Sequence, residues 1–347
     1  MAVLNHTLFI NFKAKIMLLV VESLISPKTL VETYPLTAAL EKQVAAHREQ
    51  VNSIMNDTDP RKLIVVGPCS IHDPKAALEY GKRLAKIQSQ YPNLLLVMRV
   101  YFEKPRTTVG WKGLINDPEL NGSFDMHLGL ETARELCVNL LELGLPLATE
   151  VLDPFTIKYL TGIFSWVAIG ARTTESQTHR EIASGLPMCV GFKNGTNGSV
   201  KVATDAMLSS AFPHRYMGMD QDGRVGIVHA KGNVNTHIVL RGGSDGPNYH
   251  SSHILDAVQN ASAQSLNPYL MVDCSHANAS GSYINQLDVG RCVADNAFVK
   301  GIMIESNLHE GNQKISDNMA YGVSITDACI GWEQTEELMT YINKKVN

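Results

Sequence analysis

The chain has 347 residues, 44% hydrophobic and 18% charged, with a formal net charge of −4. That is ample for a packed core, and the slightly acidic balance excludes a globally basic surface for nucleic acid. Length alone fits two domains, but α/β barrels often run this long as one.

The cysteines stand at 69, 137, 189, 274, 292 and 329, with no C-x-x-C pair and no disulfide-framework spacing. Cys137, Cys189 and Cys329 lie in apolar or small-residue contexts and read as buried small hydrophobes. A reducing cytoplasm is the expected compartment.

Taken in chain order, an apolar hexamer at 16–21 comes first, closed by Glu22. It is too short to span a membrane and no small-residue cleavage site follows; the expectation is an N-terminal strand or arm packing on a neighbour. Residues 35–55 read as a helix, with Leu40, Val44, His47, Val51 and Ile54 at helical spacing. Eight short apolar runs then follow. Run 63–67 leads to Cys69, 94–98 to Arg99, 147–149 to Glu150, 167–171 to Arg172 and 188–192 to Lys193. Run 238–240 leads to Arg241, 269–272 to Asp273 and His276, and 302–304 to Glu305.

Continuous rather than alternating apolar runs fit parallel strands buried on both faces. Helix-like segments at 75–90, 124–143, 154–160, 175–185, 199–211, 253–264, 283–297 and 332–345 supply the connections. The pattern is an α/β fold, a (β/α)8 TIM barrel whose functional groups gather at the strand C-termini. Residues 1–60 form an N-terminal extension, an arm and helix expected to serve interface or regulation, and 61–347 the barrel. After the fifth strand, 216–219 and 225–229 flank Asp220-Gln-Asp-Gly-Arg, a turn with an Asp-Gly signal. This predicts a β-hairpin on the rim at about 212–232, where long insertions usually serve binding or regulation.

Arg99, Lys104, Arg106, Arg172, Lys193 and Arg241 all fall at strand ends or in the loops after them. A closed barrel would converge them on one mouth. Clustered like charges are costly unless anions fill the site, so it should take at least two anionic groups. Arg suits bidentate phosphate and carboxylate contacts. Cys69, His276, Glu305 and Asp327 are a mixed donor set, suited to a borderline divalent ion such as Mn, Fe, Co or Zn rather than Ca or Mg. The glycine-rich stretches after the fifth and sixth strands, at 195–198 and 241–246, let the backbone approach a ligand or simply turn.

Seven motifs carry a resemblance. They are Gly-Pro-Cys-Ser-Ile-His-Asp (67–73), Met-Arg-Val-Tyr-Phe-Glu-Lys-Pro-Arg-Thr-Thr-Val-Gly-Trp-Lys-Gly-Leu (98–114), Ile-Gly-Ala-Arg-Thr-Thr-Glu-Ser-Gln (169–177), Gly-Phe-Lys-Asn-Gly-Thr (191–196), Leu-Arg-Gly-Gly (240–243), Asp-Cys-Ser-His-Ala-Asn (273–278) and Ser-Ile-Thr-Asp-Ala-Cys (324–329). Over about residues 25–347 the chain resembles type I 3-deoxy-D-arabino-heptulosonate 7-phosphate (DAHP) synthases. It looks most like the enterobacterial-type, feedback-regulated isoenzymes, the tyrosine-sensitive form in particular.

The resemblance implies condensation of phosphoenolpyruvate with erythrose 4-phosphate, the first step of the shikimate pathway. It implies metal ligands at Cys69, His276, Glu305 and Asp327, and phosphoenolpyruvate contacts at Arg99, Lys104, Arg172, Lys193 and Arg241. Erythrose 4-phosphate contacts fall on Lys104, Pro105, Arg106 and Thr107. Lys104, Glu150 and His276 are the candidate catalytic groups. An aromatic amino acid effector, tyrosine by preference, would sit near Pro154, Ile157, Lys158, Ile182, Leu186, Pro187, Tyr216, Gly218 and Val228, in a homo-oligomer, dimer or tetramer. No membrane or nucleic-acid partner is expected.

Three departures from the family pattern stand out: Asn197 in place of Asp, Pro187 and Cys189 in place of Ser and Pro, and an atypical first thirty residues. Gly218 is expected to leave room for a phenolic hydroxyl, whereas Pro187 removes a hydroxyl and an N–H from the effector region. The alternatives are a Kdo 8-phosphate synthase-like enzyme, against which the Lys-Pro-Arg-Thr-Thr loop argues, and a catalytically silent effector-binding paralogue, which would need a broken ligand or cation position.

Overall fold

The computed structural model describes residues 22–106 and 108–346. Thr107 and the hexamer at 16–21 lie outside these residues. Eight parallel strands close the barrel: β1 (Lys62–Gly67), β2 (Leu94–Arg99), β3 (Leu147–Glu150), β4 (Trp166–Ile169), β5 (Cys189–Lys193), β8 (Thr236–Leu240), β9 (Leu270–Asp273) and β10 (Val299–Glu305), in the order β1-β10-β9-β8-β5-β4-β3-β2. Nearly every strand residue is buried, because the outer face packs under helices and the inner face fills the barrel.

β6 (His214–Met219) and β7 (Val225–Ala230) form the antiparallel rim hairpin. Its turn is held by Asp220 Oδ1, which accepts from the N–H groups of Asp222 and Arg224, and by Gly223 at φ 82.

Two helices precede the barrel. α1 (Pro27–Thr33) was not anticipated; it is capped by Ser26, and the Lys28 N–H donates to Gln221 O in the hairpin turn at 2.8 Å. α2 (Ala38–Met55) begins at the Thr37 cap, three residues later than the periodicity predicts. Its Val51, Ile54 and Met55 join Leu63, Trp166, Met271 and Met303 in the cluster inside the barrel. Asp57 pairs with Lys300 and accepts from the Tyr269 hydroxyl at 2.7 Å, tying the end of α2 to β10 and to the residue just before β9.

Two connections are shorter than expected. The segment after β3 makes only one helical turn, α3 (Thr156–Tyr159), its start set by Asp153 Oδ1, which accepts from the Phe155 and Thr156 N–H groups. The segment at 283–297 splits into a 3-10 turn, Tyr283–Asn285, and the helix Gln286–Val293. No helix among the described residues is long and apolar enough to cross a membrane.

Candidate active site

Because the strands are parallel, their last residues share one face. Arg99, Glu150, Lys193, Asp273 and Glu305 are themselves strand termini, while Cys69, Arg172, Arg241 and His276 sit in the loops just beyond. On this face opens a cavity of about 520 Å³. All six expected cations line it, with Pro105, Glu150, His276, Glu305 and Asp327. Gly170 leaves space for the Glu150 carboxylate, since a Cβ there would stand 2.3 Å from Glu150 Oε1.

The six cations divide into two kinds. Buried Arg99 donates through Nη2 to Glu305 Oε1 at 3.2 Å and through Nε to Pro68 O at 3.3 Å, its guanidinium lying 3.8 Å over the Tyr101 ring. Buried Lys193 donates to Asp273 Oδ2 at 3.0 Å. Lys104 donates to Cys69 Sγ at 3.0 Å and Asp327 Oδ2 at 3.2 Å. In contrast, Arg106, Arg172 and Arg241 have no carboxylate within ion-pair distance among the described residues. The excess positive charge therefore resides on these three arginines, which are free to face an incoming anion.

Cys69, Glu305 and Asp327 bring one donor atom each within 4.8 Å of one another. Burial, with Glu305 and Asp327, pushes the Cys69 thiol up to about 12, against the pull of Lys104. The Lys104 ammonium beside it holds Asp327 well below the usual carboxylate range. Burial alone would raise Glu305, but His276, Lys104 and Arg99 bring it below its ordinary value. A thiol and two carboxylates packed this closely call for positive charge, and their donor chemistry fits a borderline divalent ion. His276, expected as a fourth ligand, lines the same cavity but stands outside this cluster; its Nδ1 lies 3.0 Å from Asp273 Oδ2. Its backbone is left-handed, φ 55, a conformation uncommon for a non-glycine residue.

The site also contains residues that sequence reasoning missed. Asp273 anchors Lys193 and accepts the Ser275 N–H at 3.0 Å. Asn194, Asn248 and Asn278 form a buried network: Asn194 Oδ1 accepts from the Arg241 N–H at 2.8 Å and from Asn248 Nδ2 at 3.1 Å. Asn278 Nδ2 donates to Leu240 O and Asp273 O. These contacts pin the loops carrying Lys193, Arg241 and His276 to one another. The only local signal was an Asn after each of three strands, which turn chemistry explains equally well.

The glycine-rich stretches serve a different purpose from the one expected. A Cβ on Gly243 would stand 2.2 Å from Gly198 N, and the Ser244 N–H donates to Thr196 O at 3.0 Å. The two loops pack on each other, and their glycines do not line the cavity. Asn197 keeps an acceptor for its turn, taking the Ser199 N–H at 3.0 Å, and Cys189 lies in the barrel interior.

Glu103, just before Lys104, accepts from Thr156 Oγ1 at 2.9 Å, and burial, with Asp153 beside it, raises its carboxyl to about 7. A carboxyl raised above its unfolded value contributes stability at low pH and loses it as pH climbs through the folded value. With each unit worth about 1.4 kcal/mol, Glu103→Gln should gain on the order of 1–3 kcal/mol relative to wild type between about pH 5 and 8. Urea denaturation at both pH values checks this; a constant difference would contradict it.

A second cavity of about 450 Å³ opens between the hairpin and the helices after β3 and β4. Pro154, Ile157, Lys158, Ile182, Leu186, Tyr216, Gly218 and Val228 line it; Pro187 does not. The space expected beside Gly218 is partly closed, for a Cβ there would meet Val228 Cγ2 at 2.6 Å.

The model of the DAHP synthetase I family matches residues 38–340. A relative from Salmonella typhimurium named "Phospho-2-dehydro-3-deoxyheptonate aldolase, Tyr-sensitive" is 51% identical over 333 residues, 93% of each chain. The Phe-sensitive enzyme of that name from Escherichia coli is 46% identical, covering 94% of this chain and 95% of its own. The solved structure of phospho-2-dehydro-3-deoxyheptonate aldolase from Francisella tularensis superposes with a TM-score of 0.93 at 41% identity, covering 95% of this chain and 98% of that one. The barrel, the cation-lined mouth and these relatives agree: the chain belongs to the DAHP synthetase I family.

Proposed function

We propose that the chain condenses phosphoenolpyruvate with erythrose 4-phosphate and water to give DAHP and phosphate, the entry to the shikimate pathway. The observation that carries this is the convergence of six cations on one cavity beside a thiol–carboxylate cluster. The substrates bring two phosphates and a carboxylate, whose charge this cation-lined cavity complements.

In this reading Arg99, Lys104, Arg172, Lys193 and Arg241 bind phosphoenolpyruvate, while Lys104, Pro105, Arg106 and Thr107 hold erythrose 4-phosphate. Cys69, Glu305, Asp327 and His276 would hold one divalent ion, of the Mn, Fe, Co or Zn kind, whose Lewis acidity serves the aldehyde oxygen. C3 of phosphoenolpyruvate bonds to the aldehyde carbon, and Lys104 Nζ gives its proton to the new alkoxide. Glu150 orients the water that adds at C2, and phosphate leaves with cleavage of its C2–O bond. The test is a direct assay with Mn2+. Loss of enolpyruvate absorbance should require erythrose 4-phosphate and release one phosphate per turnover; no consumption of either substrate would refute the reading.

The second cavity is read as the site of an aromatic amino acid effector. The Tyr and Phe sensitivity in the relatives' names supports this, as do the lining residues and the rim hairpin. Tyrosine is the favoured ligand, with polar Lys158, Thr178 and Ser184 on the wall to meet its hydroxyl. A site that bonds that hydroxyl rejects phenylalanine, whose ring would leave the polar groups unpaired. Tyrosine should therefore inhibit more than phenylalanine or tryptophan; an inhibition series led by phenylalanine, or no response to any of the three, contradicts it. Residues 1–60 are read as the interface and regulatory arm of a homo-oligomer, a role the α1 contact with the hairpin supports.

A further inference from the structure

Of the buried polar atoms without a hydrogen-bond partner among the described residues, two belong to the neighbours Arg99 and Tyr101 at the cavity. Arg99 uses Nε and Nη2 on Pro68 O, Cys69 O and Glu305, yet its Nη1 makes no hydrogen bond among the described residues. The Tyr101 hydroxyl is likewise unpartnered, on a side chain only 3% exposed that lines the cavity. The guanidinium lies 3.8 Å over the Tyr101 ring centroid, so both donors belong to one packed pair of side chains on the cavity wall. Buried polar groups are paired almost without exception, and one left over calls for an explanation such as a catalytic role or a bound water, ion or ligand.

We propose that Tyr101 is a further substrate-contacting residue, its O–H donating to the anionic oxygens of phosphoenolpyruvate that Arg99 Nη1 also meets. This rests on the assignment of phosphoenolpyruvate to the Arg99 end of the cavity. An acceptor is the chemistry the pair calls for, because a guanidinium can only donate. The hydroxyl remains a donor throughout the physiological range: burial raises it more than neighbouring Arg99 lowers it, and Glu150, Asp273 and Glu305 raise it further. No residue of the protein competes for it among the described residues.

Tyr101→Phe removes one oxygen and keeps the ring under Arg99. A hydroxyl with a structural role would stabilise the fold, whereas an unpartnered one costs stability. The ligand-free Tm of the variant, measured with Mn2+ present, should therefore equal or exceed that of wild type. Its Kd for phosphoenolpyruvate should be about tenfold weaker, the loss of one hydrogen bond to a charged group, and the substrate-induced rise in Tm correspondingly smaller. KM for erythrose 4-phosphate should stay within about twofold, since no contact to that substrate is removed. A lower ligand-free Tm, an unchanged Kd, or equal losses for both substrates overturns the proposal. If wild type itself shows no Tm rise with phosphoenolpyruvate while the variant matches it, the substrate assignment fails instead, and the proposal with it.

Discussion

Cys69→Ala should lose at least about a hundredfold in kcat while remaining folded, because loss of a ligand exceeds the 10–100-fold cost of losing a partner behind one. The thiol is fully buried within a cluster whose other members, Glu305 and Asp327, come from strand β10 and the loop beyond it. The methyl of alanine leaves the small space of one sulfur, plus a lost contact from Thr326 Oγ1 at 3.1 Å, a stability cost of about 1–2 kcal/mol. Chelation of wild type should abolish turnover, and Mn2+ or a similar ion should restore it. Undiminished activity in excess chelator, or a fully active Cys69→Ala, rules the cluster out as a metal centre. With Cys69 as a ligand in the proposed reading, the ion would bind a thiolate, and because the thiol is pushed up to about 12, metal binding should release a proton and tighten as pH rises. Oxidation of Cys69 should inactivate the protein unless metal protects it.

The second large effect concerns the unpaired arginines. Arg172 lies in the loop after β4 and Arg106 in the loop after β2, and neither is neutralised by a carboxylate among the described residues. Removing a charge-assisted contact costs about 1.5–3 kcal/mol, or tenfold and upward in the kinetic constant that depends on it. Arg172→Ala should raise KM for phosphoenolpyruvate, and Arg106→Ala should raise KM for erythrose 4-phosphate. The folds should survive, since neither guanidinium carries a buried ion pair. Steady-state kinetics with each substrate varied in turn decides the matter: identical substrate patterns in the two variants would mean that the two phosphate sites are assigned wrongly.

Much of this architecture was legible in the chain. A parallel strand buried on both faces must be an unbroken apolar run, and its end must turn polar to leave the barrel. Eight such runs therefore announced both the fold and the face on which Arg99, Glu150, Lys193 and Glu305 would gather. Helix α2 was legible from its period, and the hairpin from Asp220 and its Asp-Gly turn. Element ends were read less well, as at Thr37 and Asp153, because a cap is a side-chain hydrogen bond that composition only hints at.

The partners across the barrel came only with the closed fold. Lys193 meets Asp273 from 80 positions away, Arg99 meets Glu305 from 206, and Lys104 meets Asp327 from 223. Strand order and register set those pairings, and no local pattern encodes them. The same closure separates three neutralised cations from three without a carboxylate partner among the described residues, turns His276 toward Asp273, and packs the loop glycines against each other. It also leaves the Tyr101 hydroxyl and Arg99 Nη1 buried without a partner among the described residues. Which chemical groups reach the mouth of the barrel was readable from the chain, because side-chain identity and strand polarity are local properties. Which of them stay free to bind a substrate is a property of distance, and distance exists only once the barrel has closed.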